Sequence, residues 1–217
     1  RLAKRFNTPF YFDVGSGALK IIKSIDKNEP IIDEAINDGA DIISFSTDKL
    51  LGGCQGGVII GKSSLIEKMK KHPLYRAVRP DKITIYYLER LFHYLSLGDY
   101  FKSPVLEMIF SDIEKIKKRA QKVLKEIRKI ESKEVKVDLV QDISTFGGGS
   151  LPLKTLPTYV IRLKSGESEE KIKKFFLNYS PPILIRQKEG FCIIDFRTIR
   201  DDEVPIITKA IKDFLLL

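Results

Sequence analysis

The sequence has few cysteines and no long hydrophobic run. Its 217 residues include two cysteines, Cys54 and Cys192, which have neither metal-ligand spacing nor the number needed for a disulfide framework. We therefore interpret both as reduced thiols and expect no metal site. No apolar window approaches the roughly 20 residues that span a membrane, and the basic residues 1–5 are not followed by a hydrophobic signal core. These absences argue against a membrane protein and favour a cytoplasmic one.

The composition is typical of a soluble globular protein, with 43% hydrophobic and 31% charged residues. A chain of this length can bury a substantial core in one or two domains. Its formal net charge of +9 favours a polyanionic partner, because lysine and arginine side chains displace counterions from phosphates. Charge alone does not identify that partner, so RNA binding is one alternative among several.

One stretch places a lysine just after an apolar run. Residues 41–45 are predicted to form a strand, a polar turn follows, and Lys49 then precedes paired glycines and a second apolar run at 58–61. A lysine amine attacks a carbonyl only when deprotonated, and a free lysine is almost wholly charged near neutrality. Partial burial and a neighbouring cationic cofactor are the usual ways in which a protein lowers the pKa of such a lysine. The alternative interpretation is an ordinary strand-to-turn lysine.

An aspartate ends an earlier, aromatic strand. The strand begins at residue 9 and ends at Asp13, and a glycine turn follows it. A helix is predicted over 29–38, before the strand that leads to Lys49. This strand-helix-strand order predicts neighbouring strands in a mainly parallel or mixed sheet. A carboxylate and a lysine at the ends of such strands suit pyridoxal phosphate (PLP). The carboxylate keeps the pyridine nitrogen protonated, and the lysine binds the aldehyde covalently.

The rest of the chain is first helical and then mixed. Apolar residues in steps of three and four predict one long helix over 104–130. From residue 135 onward short strands and helices alternate, with Lys188-Glu189-Gly190 as a hairpin turn. The predicted helices cover 64–71, 83–97, 168–179 and a segment from 203, and the predicted strands cover 135–140, 159–163, 183–186 and 191–196.

Three further motifs complete the pattern. They are His-Pro-Leu-Tyr-Arg-Ala-Val-Arg at 72–79, Gly-Gly-Gly-Ser-Leu-Pro at 147–152 and Asp-Phe-Arg-Thr at 195–198. Together with Asp13 and the Asp-Lys-Leu-Leu-Gly-Gly motif at 48–53, they make the chain resemble the bacterial selenocysteine synthases, the L-seryl-tRNA(Sec) selenium transferases. The resemblance covers essentially the whole chain. Its departures from the family pattern are Cys54 in place of proline, Thr47 in place of glycine, and Gly57 where other small residues occur.

The resemblance implies an α/β fold, that of the fold-type I PLP-dependent transferases (aspartate aminotransferase-like). Residues 1–100 would be the C-terminal part of the PLP-binding large domain, 101–134 a long connecting helix, and 135–217 a small C-terminal α+β domain. The family's coenzyme lysine lies beyond the middle of its polypeptide, and two or three strands would leave open sheet edges. We therefore expect the chain to be a C-terminal fragment.

The resemblance also implies roles for five residues. Lys49 would bind PLP and act as catalytic base and acid, Asp13 would pair with the pyridinium nitrogen, and Ser46 would donate to the coenzyme phosphate, with Thr47 as a second candidate. Arg76 and Arg79, three residues apart, would face the same way on a helical turn and clamp selenophosphate or a similar anion. These last two form the substrate-binding pair.

The implied reaction converts L-seryl-tRNA(Sec) to L-selenocysteyl-tRNA(Sec) in a homo-oligomer, a ring of dimers. A related PLP-dependent lyase acting on a small amino acid and a non-catalytic assembly or RNA-binding module remain alternatives. Arg197 would hold a substrate carboxylate or form a structural ion pair, and we favour the second role because a tRNA-esterified serine has no free carboxylate. Cys54 is a neutral replacement or a reactive thiol, and the glycines at 147–149 approach an anion or form a hinge.

Overall fold

A computed structural model describes residues 2–130, 134–145 and 155–217. The fold is α/β, as predicted, and the chain divides into two compact units between Glu107 and Met108. Within the described residues, unit 1 comprises 2–107 and unit 2 comprises 108–130, 134–145 and 155–217. The domain limits expected from the sequence, with a connecting segment at 101–134, stay a prediction.

Unit 1 contains a three-stranded mixed sheet of order β1-β2-β3. Strand β1 (Tyr11–Asp13) pairs in parallel with β2 (Ile42–Ser46), and β2 pairs antiparallel with β3 (Gly57–Gly61). Helix α2 (Ile32–Asn37) lies between the parallel strands in sequence, while α1 (Leu2–Arg5) precedes them. The predicted crossover and the parallel pairing are therefore confirmed, and α2 is shorter than predicted because it begins at Ile32.

The two faces of this sheet differ. On one face Ile43 and Phe45 of β2 form a buried cluster with Ile32 and Ala35 of α2. The opposite face carries alternate residues of the strands, and two of its apolar members, Tyr11 and Ile59, are 56% and 51% exposed. The polar residues Asp13, Ser44 and Ser46 also belong to this second face, which we call the open face.

Three helices complete unit 1. They are α3 (Ser63–Lys71), α4 (Pro73–Ala77) and α5 (Lys82–Ser96), and a 3-10 turn at Tyr100–Lys102 follows them. As predicted, α3 ends before Pro73. This proline is the first residue of α4, a position where the backbone N–H that proline lacks would have no partner within the helix. The carboxylate of Asp81 begins α5 by accepting hydrogen bonds from the backbone N–H groups of Ile83 and Thr84.

Unit 2 contains α7 (Ile113–Ile127), β4 (Lys136–Thr145), β5 (Thr155–Lys164), α8 (Glu169–Leu177), β6 (Arg186–Lys188), β7 (Phe191–Asp195) and α9 (Val204–Leu215). Its antiparallel sheet has the order β4-β5-β7-β6. The apolar stripe of α7 packs in one buried cluster with β5, β7, α8 and α9.

The predicted hairpin turn is confirmed, but it is shorter than expected. Only Glu189 and Gly190, with φ values of 54° and 79°, lie between β6 and β7. Lys188 belongs to β6, so the strand predicted over 183–186 instead begins at Arg186.

The single helix predicted over 104–130 is wrong. The structure has two helices there, α6 (Pro104–Phe110), which crosses the boundary between the units, and α7. Asp112 interrupts them, since its backbone is extended (ψ 130°) and its carboxylate accepts a hydrogen bond from the N–H of Glu114. This is an N-cap that starts a new helix, and the apolar periodicity continues through it without a change of phase.

Neither cysteine is paired, so both are free thiols as predicted. Burial raises the pKa of the Cys192 thiol to about 11, which keeps this side chain protonated in the core of unit 2. Within the described ranges, no helix combines the length and the apolar character that a membrane crossing requires.

Candidate active site

Lys49 lies in a tight loop that leads from β2 back to β3. The backbone N–H of Thr47 donates to the carbonyl of Gly56 at 2.9 Å, and that of Gly53 donates to the carbonyl of Thr47 at 2.8 Å. Leu50 and Leu51, directly after the lysine, are buried. The backbone of the loop is therefore fixed, while the side chain of Lys49 is only half-buried.

The Lys49 loop is also anchored to the region before α6. Ser103 is buried, and its hydroxyl donates to the carbonyl of Leu51 at 2.8 Å. Gly52 has a φ of +68° and packs so closely that an added Cβ would lie 2.5 Å from the Ser103 hydroxyl. Among the described residues no group forms a hydrogen bond or ion pair with the Lys49 amine, so none of their bonds has to break before the amine meets a ligand.

The turn after β1 lies beside this loop. The backbone N–H of Val14 donates to the carbonyl of Ser44, and that of Leu50 donates to the carbonyl of Ser16, at 2.8 and 3.2 Å. These bonds join the turn that follows Asp13 to the loop that carries Lys49. The structure thus brings the carboxylate-bearing and amine-bearing segments together at the same end of the parallel strands, as the sequence predicted.

The carboxylate of Asp13 is exposed and asymmetrically bonded. Its Oδ1 accepts hydrogen bonds from the hydroxyl of Ser44 at 2.9 Å and from the N–H of Gly15 at 3.2 Å. No described residue donates to Oδ2. One oxygen is consequently held by the protein, and the other can accept a hydrogen bond from a ligand.

The two hydroxyls expected to bind the coenzyme phosphate behave differently. Ser46 is half-buried on the open face, and its hydroxyl has no partner among the described residues. Thr47 is 0% exposed, and its hydroxyl lies 2.7 Å from the carbonyl of Cys54 and 3.0 Å from that of Gly56. Because a hydroxyl has one proton, which Thr47 uses to close the loop, the expectation that Thr47 donates to a phosphate is wrong.

The two arginines do not share a helical turn, contrary to the expectation from their spacing. Arg76 lies in the last turn of α4, whereas Arg79 follows Val78, the residue that ends the helix. Both side chains are exposed, and within the described part of the chain neither forms an ion pair or hydrogen bond. Their availability suits anion binding, but their assignment as the substrate-binding pair stays a prediction.

Three other candidates have different outcomes. The Cys54 thiol is half-buried and donates weakly to the carbonyl of Thr84 at 3.7 Å. Arg197 is 6% exposed, and its guanidinium donates to backbone carbonyls, including that of Met108 at 2.8 Å. It is a structural residue, although carbonyls rather than a carboxylate are its main partners. The glycines at 147–149 lie outside the described residues.

Replacing Gly17 with alanine is expected to destabilise this site. Gly17 has a φ of +69°, and an added Cβ would lie 2.5 Å from the carbonyl oxygen of Ser46. The left-handed conformation and the clash together should lower the free energy of unfolding by roughly 2 kcal/mol or more. Urea denaturation measures the change.

Two other glycines of unit 1 separate the effect of backbone strain from the effect of the clash. Gly39 has a φ of +82° with no atom within 4 Å of an added Cβ, so Gly39→Ala reports backbone strain alone. Gly15 has open space and no positive φ, so Gly15→Ala should be nearly neutral. If Gly17→Ala cost no more than Gly39→Ala, the close approach to Ser46 would not constrain the turn.

Sequence reasoning missed Ser44 and Tyr11. Both lie on the open face with Asp13, and both belong to its hydrogen-bonded surroundings. The alternation of side chains along a strand places Tyr11 beside Asp13, two residues later. The pairing of Asp13 with Ser44 depends on the register between β1 and β2, which no local pattern reveals.

Comparison with known proteins gives a consistent result. The family model described as "SelA: L-seryl-tRNA selenium transferase" matches residues 1–200. The chain is 38% identical over 216 residues to the L-seryl-tRNA(Sec) selenium transferase of Clostridium perfringens, covering 98% of this chain and 46% of the relative. It is 34% identical over 218 residues to that of Aquifex aeolicus, covering 99% of this chain and 48% of the relative.

The chain thus spans about half the length of these curated relatives. Among solved structures it is similar to a ureidoglycine-glyoxylate aminotransferase from Bacillus subtilis. That match has a TM-score of 0.39 and 14% sequence identity, and it covers 99% of this chain and 54% of the other.

Proposed function

Because the chain belongs to the L-seryl-tRNA selenium transferase family, we propose that it carries the coenzyme lysine of an enzyme that converts L-seryl-tRNA(Sec) to L-selenocysteyl-tRNA(Sec). PLP is the proposed cofactor, and selenophosphate is the proposed selenium donor. One observation carries the proposal: the free amine of Lys49 and the free Oδ2 of Asp13 lie on two segments joined by backbone hydrogen bonds.

The residues present fit PLP, and family membership supports the fold-type I assignment. Lys49 would bind the aldehyde covalently, Asp13 would accept the ring N–H through Oδ2, and the free hydroxyl of Ser46 would donate to the phosphate. When bound, PLP supplies an electron sink that acidifies the α-proton of an attached amino acid. The unpartnered state of all three groups in the described chain supports these roles.

We assign Lys49 a second role as general base and acid. When it is not bonded to PLP, its amine would remove the α-proton of the seryl group and return a proton to the β-hydroxyl, which would leave as water. A carbon–selenium bond would then form at the β-carbon, and water would cleave the phosphorus–selenium bond of selenophosphate and release phosphate. The fixed backbone of the loop supports this role, because a general base must be held within hydrogen-bond reach of the proton that it removes.

The state of Arg197 agrees with this substrate. Its guanidinium is occupied by backbone carbonyls in the core of unit 2 and is not free to bind a carboxylate. A serine esterified to tRNA has no free carboxylate, so it needs no such arginine. A lyase that acts on a free amino acid would need a different carboxylate partner.

The anion site is the less constrained part of the proposal. Arg76 and Arg79 carry two exposed guanidinium groups that have no partner in the described residues, and guanidinium binds phosphate-like oxyanions through paired N–H donors. We assign selenophosphate binding to them. The proposal also includes a homo-oligomer, a ring of dimers, and a cytoplasmic location, as expected for an enzyme that acts on tRNA.

Replacing Arg76 with alanine is expected to abolish selenium incorporation while PLP binding survives. The change removes a donor to the selenium source but leaves Asp13 and Lys49 intact. The measurement is the transfer of radioactive selenium from selenophosphate to seryl-tRNA(Sec) by the full-length protein, alongside the PLP dissociation constant. The loss of a single charge-assisted hydrogen bond, about 1.5–3 kcal/mol, would already lower the rate of selenium transfer at least tenfold.

Lys71→Ala is the matched control, since it removes one exposed positive charge from the last turn of α3. It should leave both measurements unchanged. Loss of PLP binding together with transfer in Arg76→Ala would show that the arginine is structural. Turnover of a free amino acid without tRNA by the unchanged protein would instead favour the lyase.

A further inference from the structure

Three side chains on the open face form a hydrogen-bonded series that ends at the carboxylate of Asp13. The hydroxyls of Tyr11 and Ser44 lie 2.7 Å apart, and the Ser44 hydroxyl lies 2.9 Å from Oδ1 of Asp13. Asp13 and Ser44 are direct partners across the parallel pair of β1 and β2. Tyr11 lies two residues before Asp13 on the same strand and therefore shares its face.

Only one assignment of donors and acceptors fits these hydrogen bonds. An ionised carboxylate only accepts hydrogen bonds, so the one proton of the Ser44 hydroxyl is donated to Asp13. The Ser44 oxygen can then only accept from the other hydroxyl, which makes Tyr11 the donor of the 2.7 Å bond. The order of donation is Tyr11 to Ser44 to Asp13.

These hydrogen bonds fix one oxygen of the Asp13 carboxylate. Oδ1 of Asp13 receives Ser44 and the N–H of Gly15, while no described residue donates to Oδ2. A carboxylate torsion is otherwise broad, because rotation about an sp³–sp² bond has no sharp minima. Two donors on the same oxygen hold the plane of the group and leave the other oxygen for a ligand.

We propose that Ser44 is a positioning residue for PLP, which orients Asp13 so that Oδ2 accepts the ring N–H, with Tyr11 fixing the Ser44 hydroxyl in turn. This inference rests on the proposed function, because it needs PLP at Lys49. It assigns to β2 a role that none of the motifs indicated. Ser44 acts through Asp13 and does not itself touch the coenzyme.

These three residues lie on the open face of the sheet, so their effect on coenzyme binding can be measured separately from their effect on folding. Tyr11 is 56% exposed and Asp13 is exposed, so loss of their hydrogen bonds leaves no buried polar group without a partner. The buried cluster that contains Ile43 and Phe45 lies on the opposite face of the sheet. Removing the Ser44 hydroxyl should therefore change coenzyme binding much more than folding.

The test compares Ser44→Ala with Ser44→Thr in the full-length protein. The readouts are the PLP dissociation constant from absorbance titration, the pH dependence of the bound coenzyme's absorbance, and the thermal unfolding temperature. We expect Ser44→Ala to weaken PLP binding roughly 3- to 10-fold and to shift the pH profile, at unchanged unfolding temperature. Ser44→Thr, which keeps a hydroxyl, should restore both values, and Tyr11→Phe should give a smaller change in the same direction.

Two controls remove hydroxyls elsewhere in unit 1. Ser24→Ala removes a hydroxyl whose one partner among the described residues is the local carbonyl of Ile21, and Tyr87→Phe removes the hydroxyl of an exposed tyrosine on α5. Both should leave PLP binding and its pH profile unchanged. Equal weakening in either control would show that the effect is not specific to Asp13, and it would overturn the proposal.

The remaining outcomes separate this inference from the proposed function. If the unchanged protein binds PLP on Lys49 and Ser44→Ala matches it in affinity and pH profile, the positioning role is wrong and the proposed function stands. If Ser44→Ala and Ser44→Thr weaken binding equally, packing rather than the hydroxyl is responsible, and the inference also fails. If the unchanged protein does not bind PLP at Lys49, both fail together.

Discussion

Replacing Lys49 with alanine is expected to abolish the covalent attachment of PLP to the protein. In the unchanged protein, treatment with PLP and then borohydride should leave a reduced coenzyme label on one peptide, which mass spectrometry locates at Lys49. Lys49 is half-buried and its amine has no competing partner among the described residues. Its loop is closed by the bond from the Thr47 N–H to the Gly56 carbonyl and by the bond from the Gly53 N–H to the Thr47 carbonyl. A further bond, from the Leu50 N–H to the Ser16 carbonyl, joins this loop to the turn that follows Asp13.

Lys82→Ala is the matched control for this label. Lys82 is an exposed lysine of the same unit, at the first position of α5, and it should be dispensable. Label that persists in Lys49→Ala, or that scatters over many exposed lysines, would contradict the assignment. In that case the chain would hold at most an incomplete coenzyme site.

Local patterns were enough to predict the elements that carry this site. An aromatic strand that ends at Asp13, a crossover helix and an apolar strand before Lys49 each have their own signal within about ten residues. The parallel pairing followed from the crossover rule. The sequence therefore predicted that Asp13 and Lys49 lie at the same end of neighbouring strands.

Contacts that depend on register or loop closure could not be predicted in this way. The bond from Ser44 to Asp13 requires the alignment of β1 with β2, and the occupation of the Thr47 hydroxyl requires the return of the chain to Gly56. In each case the partner is fixed by tertiary structure. Residue type alone suggested that Thr47 was available, and nothing suggested a role for Ser44.

Competing local signals explain the two errors in helical segments. The apolar stripe continued through Asp112, so periodicity predicted one helix where the aspartate's capping side chain starts another. The spacing of Arg76 and Arg79 implied a shared turn, but α4 ends at Ala77, before Arg79. Periodicity tests which face a residue would occupy if the helix continued, and it does not test whether the helix continues.

Replacing Arg197 with methionine is expected to lower the free energy of unfolding of unit 2 by roughly 3–5 kcal/mol. Its guanidinium donates to the carbonyls of Met108 and Ile109 near the C-terminal end of α6, and to that of Pro157 in β5. The last carbonyls of a helix have no partner within it, so Arg197 supplies donors that α6 lacks. Methionine fills a similar volume but leaves these acceptors without donors.

The lysine variant tests the geometry of this contact. Burial lowers the pKa of Arg197 from its ordinary value, so the protein bears the cost of desolvating this charge. The guanidinium of Arg197 offsets this cost by donating hydrogen bonds to two elements at once. The ammonium of a lysine, which is a single group on a different side chain, cannot reproduce both sets of bonds. Arg197→Lys should therefore recover only part of the stability measured by urea denaturation.

Arg200 provides the control, because it is exposed and its ion pairs with Asp202 and Glu203 lie in solvent. Arg200→Met should change the unfolding free energy little. If Arg197→Met were equally mild, the carbonyls would have found water as a replacement donor, and the structural role assigned to the guanidinium would be wrong. If it is severe, Arg197 is committed to the fold, in agreement with its burial and its bonds to backbone carbonyls.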